Sequence, residues 1–88
     1  MNRQQRIEAR LREGLAPAEL DVEDESHQHH GHSGWREAGE THYRVVVVSA
    51  AFAGRSRVER HRIVNGMLTT EFDTGLHALA LSLRAPGE

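Results

Sequence analysis

The feature that most narrows the folds open to this chain is the segment Thr41 to Ser49, built around the uninterrupted run Val45-Val46-Val47-Val48. β-Branched side chains are stiff at χ1 and pack well on a pleated surface, so the segment predicts a strand. Apolar character on both faces predicts a central position, covered on more than one side.

The remaining elements arrange themselves around that strand. Ile7, Leu11 and Leu15 form one apolar stripe of a first amphipathic helix, which should stop before Pro17; Gly14 weakens its last turn. Leu20 and Val22 alternate with Asp21 and Glu23, as in a short strand with one wet face. Residues 27–40, HQHHGHSGWREAGE, lack hydrophobic periodicity and read as a long connecting loop. Ser56 and Glu59 are spaced as a capping box, so a second helix should begin at about Arg57. Val58, His61, Val64, Leu68 and Phe72 are its expected apolar stripe, with Asn65-Gly66 loosening the middle and Gly75 ending it. His77, Leu79, Leu81 and Leu83 then alternate with smaller or polar residues in a third strand. The order is αββαβ, an α+β chain forming a single domain over residues 1–88.

This order has a geometric consequence. Strands joined through a helix should run parallel with a right-handed crossover, and the loop-joined pair should run antiparallel. The end of the first strand and the starts of the other two therefore share one end of the sheet. His42, His77 and the loop carrying His27, His29, His30 and His32 are expected to converge there. The start of the second helix, with Arg55, Arg57, Arg60 and Arg62, should lie at the opposite end.

Composition excludes several chemistries. The 88-residue chain has no cysteine, hence no disulfide and no thiolate, but it has seven histidines. No apolar run approaches the ~20 residues that span a bilayer, and the N-terminus lacks a signal-peptide core, so a cytoplasmic protein without membrane contact is expected. A net charge of -2 exerts no global pull on nucleic acid. It is unevenly spread, however: residues 54–66 hold four Arg against one Glu. No Ser-His-Asp arrangement, phosphate loop or paired-carboxylate motif stands out, and catalysis is not expected. DVEDES, residues 21–26, reads as the wet face of a strand.

The stretch THYRVVVVSAAFAGRSRVERHRIVNGML, followed by LHALALSL, resembles the BolA family. The combination of Phe52-x-Gly54, Arg60-His61-Arg62-x-Val64-Asn65 and His77-Ala78-Leu79 carries the likeness, which extends over nearly the whole chain. The resemblance implies a class II KH-like αββαβ fold, a three-stranded mixed sheet with helices packed on one face. It also implies partnership with a monothiol glutaredoxin and a shared [2Fe–2S] cluster, with none expected bound to the isolated chain. The family's ligands, a histidine opening the last strand and a His or Cys of the first inter-strand loop, fall on His77 and His29. His27, His30 and His32 are the loop alternatives.

Two histidines can replace two cysteines on one iron of such a cluster, and with no cysteine here the other ligands must come from a partner. Some relatives are described as DNA-binding transcriptional regulators, which makes duplex DNA at Arg55, Arg57, Arg60 and Arg62 the alternative. On the same footing, His42 and His61 are expected to be hydrogen-bonded structural residues, His61 buried. Gly31-His32-Ser33-Gly34 matches the GxxG of KH domains but lies between strands, and is discounted. Trp35 is either a lid over the site or part of a docking surface.

Overall fold

The computed structural model of the chain describes residues 1–26 and 39–88. Helix α1 (Arg3–Leu15) opens with a capping box: Asn2 Oδ1 accepts from the Gln5 amide at 2.8 Å and Gln5 Oε1 from the Asn2 amide at 3.0 Å. Its buried face carries Ile7, Leu11 and Leu15, as the spacing predicts. It ends before Pro17 at Ala16, whose left-handed φ of 42° is borne without glycine and whose amide bonds Arg12 O at 3.1 Å. Gly14 weakens this turn but admits the Met67 methyl, which a Cβ there would meet at 2.2 Å.

Strands β1 (Glu19–Asp24), β2 (His42–Val48) and β3 (Ala78–Arg84) form one sheet in the order β1-β2-β3. β1 pairs antiparallel with β2, and β3 pairs parallel with β2. Val22, Tyr43, Val45, Val47 and Leu83 lie on the side that joins the helices in the core, with Leu20, Leu79 and Leu81 partly buried beside them. The valine run is central, but its cover differs from expectation. Val46 and Val48 are only half-buried, flanked by Asp21 and Ser82 and by Glu19 and Arg84 respectively. Among the described residues, lateral neighbours and not a second layer flank them.

The crossover from β2 to β3 departs further. A single 3-10 turn (Ala50–Phe52) buries Phe52 and precedes α2 (Arg57–Met67). The Ser56–Glu59 capping box forms with both of its bonds. The helix breaks at Leu68, whose amide is shared between Val64 O and Asn65 O at 3.2 Å each, and resumes as α3 (Thr69–Asp73). The buried arc is Val64, Leu68 and Glu71, with Ile63 and Met67 packed beside it. Val58 is 58% and Phe72 37% exposed, so the expected stripe is rotated.

Glu71 is buried in place of Phe72 because two cations meet it. Arg3 Nη1 donates to its Oε1 at 2.8 Å, and Arg6 Nε to its Oε2 at 3.0 Å. Those bonds hold its carboxyl below the ordinary range, Arg6 contributing most and burial opposing.

Candidate functional site

The site is built at the end of the sheet where β1 finishes and β2 and β3 begin. Residues flanking the histidine-rich segment are anchored there. Ser26 Oγ accepts from the Thr41 amide at 2.9 Å and the His42 amide at 3.1 Å. Asp24 Oδ1 accepts from the Ser26 amide at 2.8 Å and its Oδ2 from the Glu40 amide at 3.1 Å. Gly39 and Glu40 both take positive φ, 76° and 64°. A Cβ on Gly39 would come within 3.3 Å of Asp24 Oδ2, so the return is tightest at the residue without one. Glu40 Oε1 also accepts from the Arg3 amide at 3.0 Å, tying this corner to α1.

The wet-face expectation for residues 21–26 therefore holds only for Asp21 and Glu23. Asp24 is half-buried, and Glu25 and Ser26 are buried. Glu25 Oε2 takes Arg44 Nε at 3.1 Å, while Asp24 and Ser26 satisfy backbone amides. Sequence reasoning passed over Ser26 and Thr41. The available signal was a pair of short hydroxyl residues bracketing the loop, where strand ends leave amides without ladder partners.

Thr41 organises the histidines. Its carbonyl accepts from the amides of His77 at 2.8 Å and Ala78 at 3.1 Å, and its Oγ1 lies 2.9 Å from His42 Nδ1. His42 is buried at 6% exposure and hydrogen-bonded, as expected of a structural histidine. His77 is exposed just ahead of β3 and presents an imidazole at the rim. The two rings are 5.3 Å apart between centroids, tilted by 51°. Convergence of His42 and His77 is thus realised. His27, His29, His30 and His32, with Gly31–Gly34 and Trp35, lie outside the described residues. Among the described residues no three metal-capable side chains come together.

Tyr43, the next residue of β2, has its hydroxyl pushed up to about 12 by burial and then by the charges of Asp24 and Glu40. It stays protonated and takes no part as a base.

His61 corrects an expectation. It is partly exposed on α2, and its Nδ1 lies 2.9 Å from Arg57 O one turn earlier. Around it lies the second surface, at the far end of the sheet. A groove of about 470 Å³ between α2 and β3 is lined by Arg55, Arg57, Arg60, His61 and Arg84. These cations are not equivalent. Arg60 is forked onto Glu88, with Nη2 to Oε2 at 2.7 Å, and also donates to Arg55 O and Leu83 O. That contact depresses the Glu88 carboxyl to about 2, helped by the Ala85 amide. Arg55 Nε reaches Ala51 O at 3.2 Å, whereas Arg57 and Arg62 are exposed.

Comparison with known proteins agrees with this architecture. Residues 11–88 match the family model described as BolA-like protein. The chain is 46% identical to BOLA1 of Arabidopsis thaliana, described as chloroplastic, over 99% of its own length and 56% of that protein's. It is 39% identical to the DNA-binding transcriptional regulator BolA of Haemophilus influenzae, over 100% of its length and 82% of the relative's. The solved structure of Arabidopsis BolA1 superposes with a TM-score of 0.90 at 42% identity, covering 100% of this chain and 96% of that one. On sequence and fold together, the chain belongs to the BolA-like protein family.

Proposed function

We propose that this protein is a non-catalytic adaptor in iron–sulfur handling or iron sensing, which shares a [2Fe–2S] cluster with a monothiol glutaredoxin. The observation that carries this reading is the position of His77. It stands exposed at the sheet end where Ser26 and Glu40, on either side of the histidine-rich segment, are pinned beside Thr41 and His42. Thr41, which Ser26 holds from one flank of that segment, bonds the His77 amide through its carbonyl. His77 is one proposed ligand and His29 the other, with His27, His30 and His32 as alternatives. Imidazole is a competent ligand for one iron of such a cluster, and a chain without cysteine needs a partner's thiolates for the rest.

The test mixes the protein with a cluster-loaded monothiol glutaredoxin and follows visible absorption and circular dichroism. Complex formation should change both spectra, and His77→Ala should alter that change. Wild-type protein that leaves the spectra untouched overturns the reading. Single His→Ala changes at positions 27, 29, 30 and 32 then identify the loop ligand.

A second reading is favoured by the groove between α2 and β3, whose lining includes Arg55, Arg57, Arg60 and Arg84. Arg makes charge-assisted bonds to phosphate, and a relative bears the name of a DNA-binding regulator. In this reading Arg55, Arg57, Arg60 and Arg62 contact duplex DNA from the end of the sheet opposite His77, leaving room for both activities.

A further inference from the structure

The two outer strands of the sheet are not finished alike. β1 is closed on its outer side: Gln4 Nε2, from α1, donates to Val22 O at 3.0 Å, and the strand carries Glu19, Asp21, Glu23 and Asp24. Cover and charge are the common guards of a sheet edge. β3 carries no charge before Arg84, no proline, and no bulge in its pairing with β2. We infer that the free edge of β3 is a docking site for an extended acidic segment of a partner protein, which adds to the sheet as a fourth strand. This rests on neither reading above: it needs no cluster, and it seats a peptide instead of duplex DNA beside α2.

The backbone supplies the first argument. The Ala78 amide bonds Thr41 O and the Ser49 amide bonds Arg84 O, so alternate residues from Ala78 to Arg84 face β2. Leu79, Leu81 and Leu83 therefore turn their amides and carbonyls outward. Of those six groups one is bonded among the described residues: Leu83 O accepts from Arg60 Nη1 at 3.2 Å. The other five form a row with which an added strand pairs, and such main-chain pairing supplies affinity.

Side chains supply the second. Leu79 and Leu81 belong to the core side of the sheet yet are only partly buried, whereas Val45 and Val47 of β2 are fully buried. The apolar surface left open lies along the edge, where alternate side chains of an added strand would cover it.

Charge selects the occupant. The groove between α2 and β3 takes its lining from both faces of the strand, Leu81 and Leu83 on one and Ser82 and Arg84 on the other, so it opens over the edge itself. Arg55, Arg57, Arg60 and His61 form its opposite wall. A carboxylate already sits at the Leu83 end: Glu88 accepts from Arg60 Nη2 at 2.7 Å and from the Ala85 amide at 3.0 Å. A second copy of the chain fits less well. Its β3 would set two arginine-bearing helices side by side, and its acidic β1 is already covered by Gln4.

The test uses the full chain and two fluorescein-labelled, end-blocked peptides. Each alternates valine and threonine over about six residues and carries a Glu-Glu pair, at the amino end in one and the carboxyl end in the other, since either strand direction can satisfy the row. At least one should bind by fluorescence anisotropy. N-methylation of one alternate set of its amides should weaken binding at least about tenfold, while methylation of the other set changes it little. Arg57→Ala and Arg84→Ala should each weaken binding about threefold. In ¹H–¹⁵N spectra the Leu79, Leu81 and Leu83 amides should shift and gain protection from hydrogen exchange, with those of β1 unmoved. Binding that ignores both methylations, unmoved Leu79 and Leu81 amides, or no binding by either peptide overturns the inference. So does a chain that dimerises through β3 in sedimentation and excludes both peptides, or a duplex DNA that moves the edge amides when neither peptide does.

Discussion

At the residue scale the most informative side chain is Glu71, a carboxylate enclosed by Arg3 and Arg6 from the first helix. Arg3 also donates to Glu71 O and to Thr74, so four bonds from one guanidinium tie α1 to the end of the crossover. Its Nε remains buried without a hydrogen bond, a local cost in the same cluster. Replacing Glu71 by Gln leaves two guanidiniums facing a neutral amide, and should destabilise the fold by about 3 kcal/mol in urea unfolding at neutral pH. The pH dependence has a defined sign. Glu71 titrates below its ordinary 4.5 in the folded chain, so its stabilisation is complete above that value and is lost as pH falls through the lower folded pKa. Wild type should therefore show a steeper acid limb than Glu71→Gln. Ser26→Ala is the corresponding test at the site. It strands the buried Thr41 and His42 amides, and should cost about 1–3 kcal/mol while moving the His42 ring resonances. Neither residue announces itself in the chain: an isolated Glu among TTEFD and a Ser after DE become buried polar anchors only when distant donors arrive.

At the element scale, ends were more legible than faces. Both helix starts follow from side chains that reach back to their own backbone, Asn2 with Gln5 and Ser56 with Glu59, although only the second was anticipated. Ser56→Ala should lower stability by about 1 kcal/mol, read from the denaturation midpoint with an unchanged m-value. The Glu59 carboxyl is held below its ordinary range chiefly by the Ser56 amide, so this contribution too should fade in acid. The face of the crossover could not be read in the same way. Val58, Ile63, Met67 and Phe72 are all apolar, but Ile63 and Met67 share one arc of a helical wheel while Val58 and Phe72 share the opposite one, so the sequence offers two competing faces. The break at Leu68 and the Arg3–Glu71 contact decide that Ile63 and Met67 turn inward while Val58 and Phe72 stay out. His61 moved from the core to a partly exposed groove for the same reason.

At the scale of the whole molecule, the sheet separates two surfaces by the length of β2, seven residues or about 20 Å. His42 and His77 stand at one end and Arg55, Arg57, Arg60 and Arg62 toward the other, so changes at either end should be nearly independent. For the second reading, replacing Arg57 and Arg62 by Ala should reduce the dependence of duplex-DNA affinity on log salt by about two. Arg60→Ala should change it less, because its guanidinium is already forked onto Glu88. Equal effects from all three would show that Glu88 yields to phosphate. The sequence by itself determined the strand order, the parallel and antiparallel pairing, and the end of the sheet on which His42 and His77 meet. These follow from periodicity and from the handedness of crossovers, all local or topological facts. Tertiary structure alone decided that Thr41 sets both histidines, that Glu71 is buried, and that His61 is not. Those outcomes depend on which donor meets which acceptor across 36 to 68 positions of chain, as Thr41 meets His77 and Arg3 meets Glu71, and no local pattern encodes such a meeting.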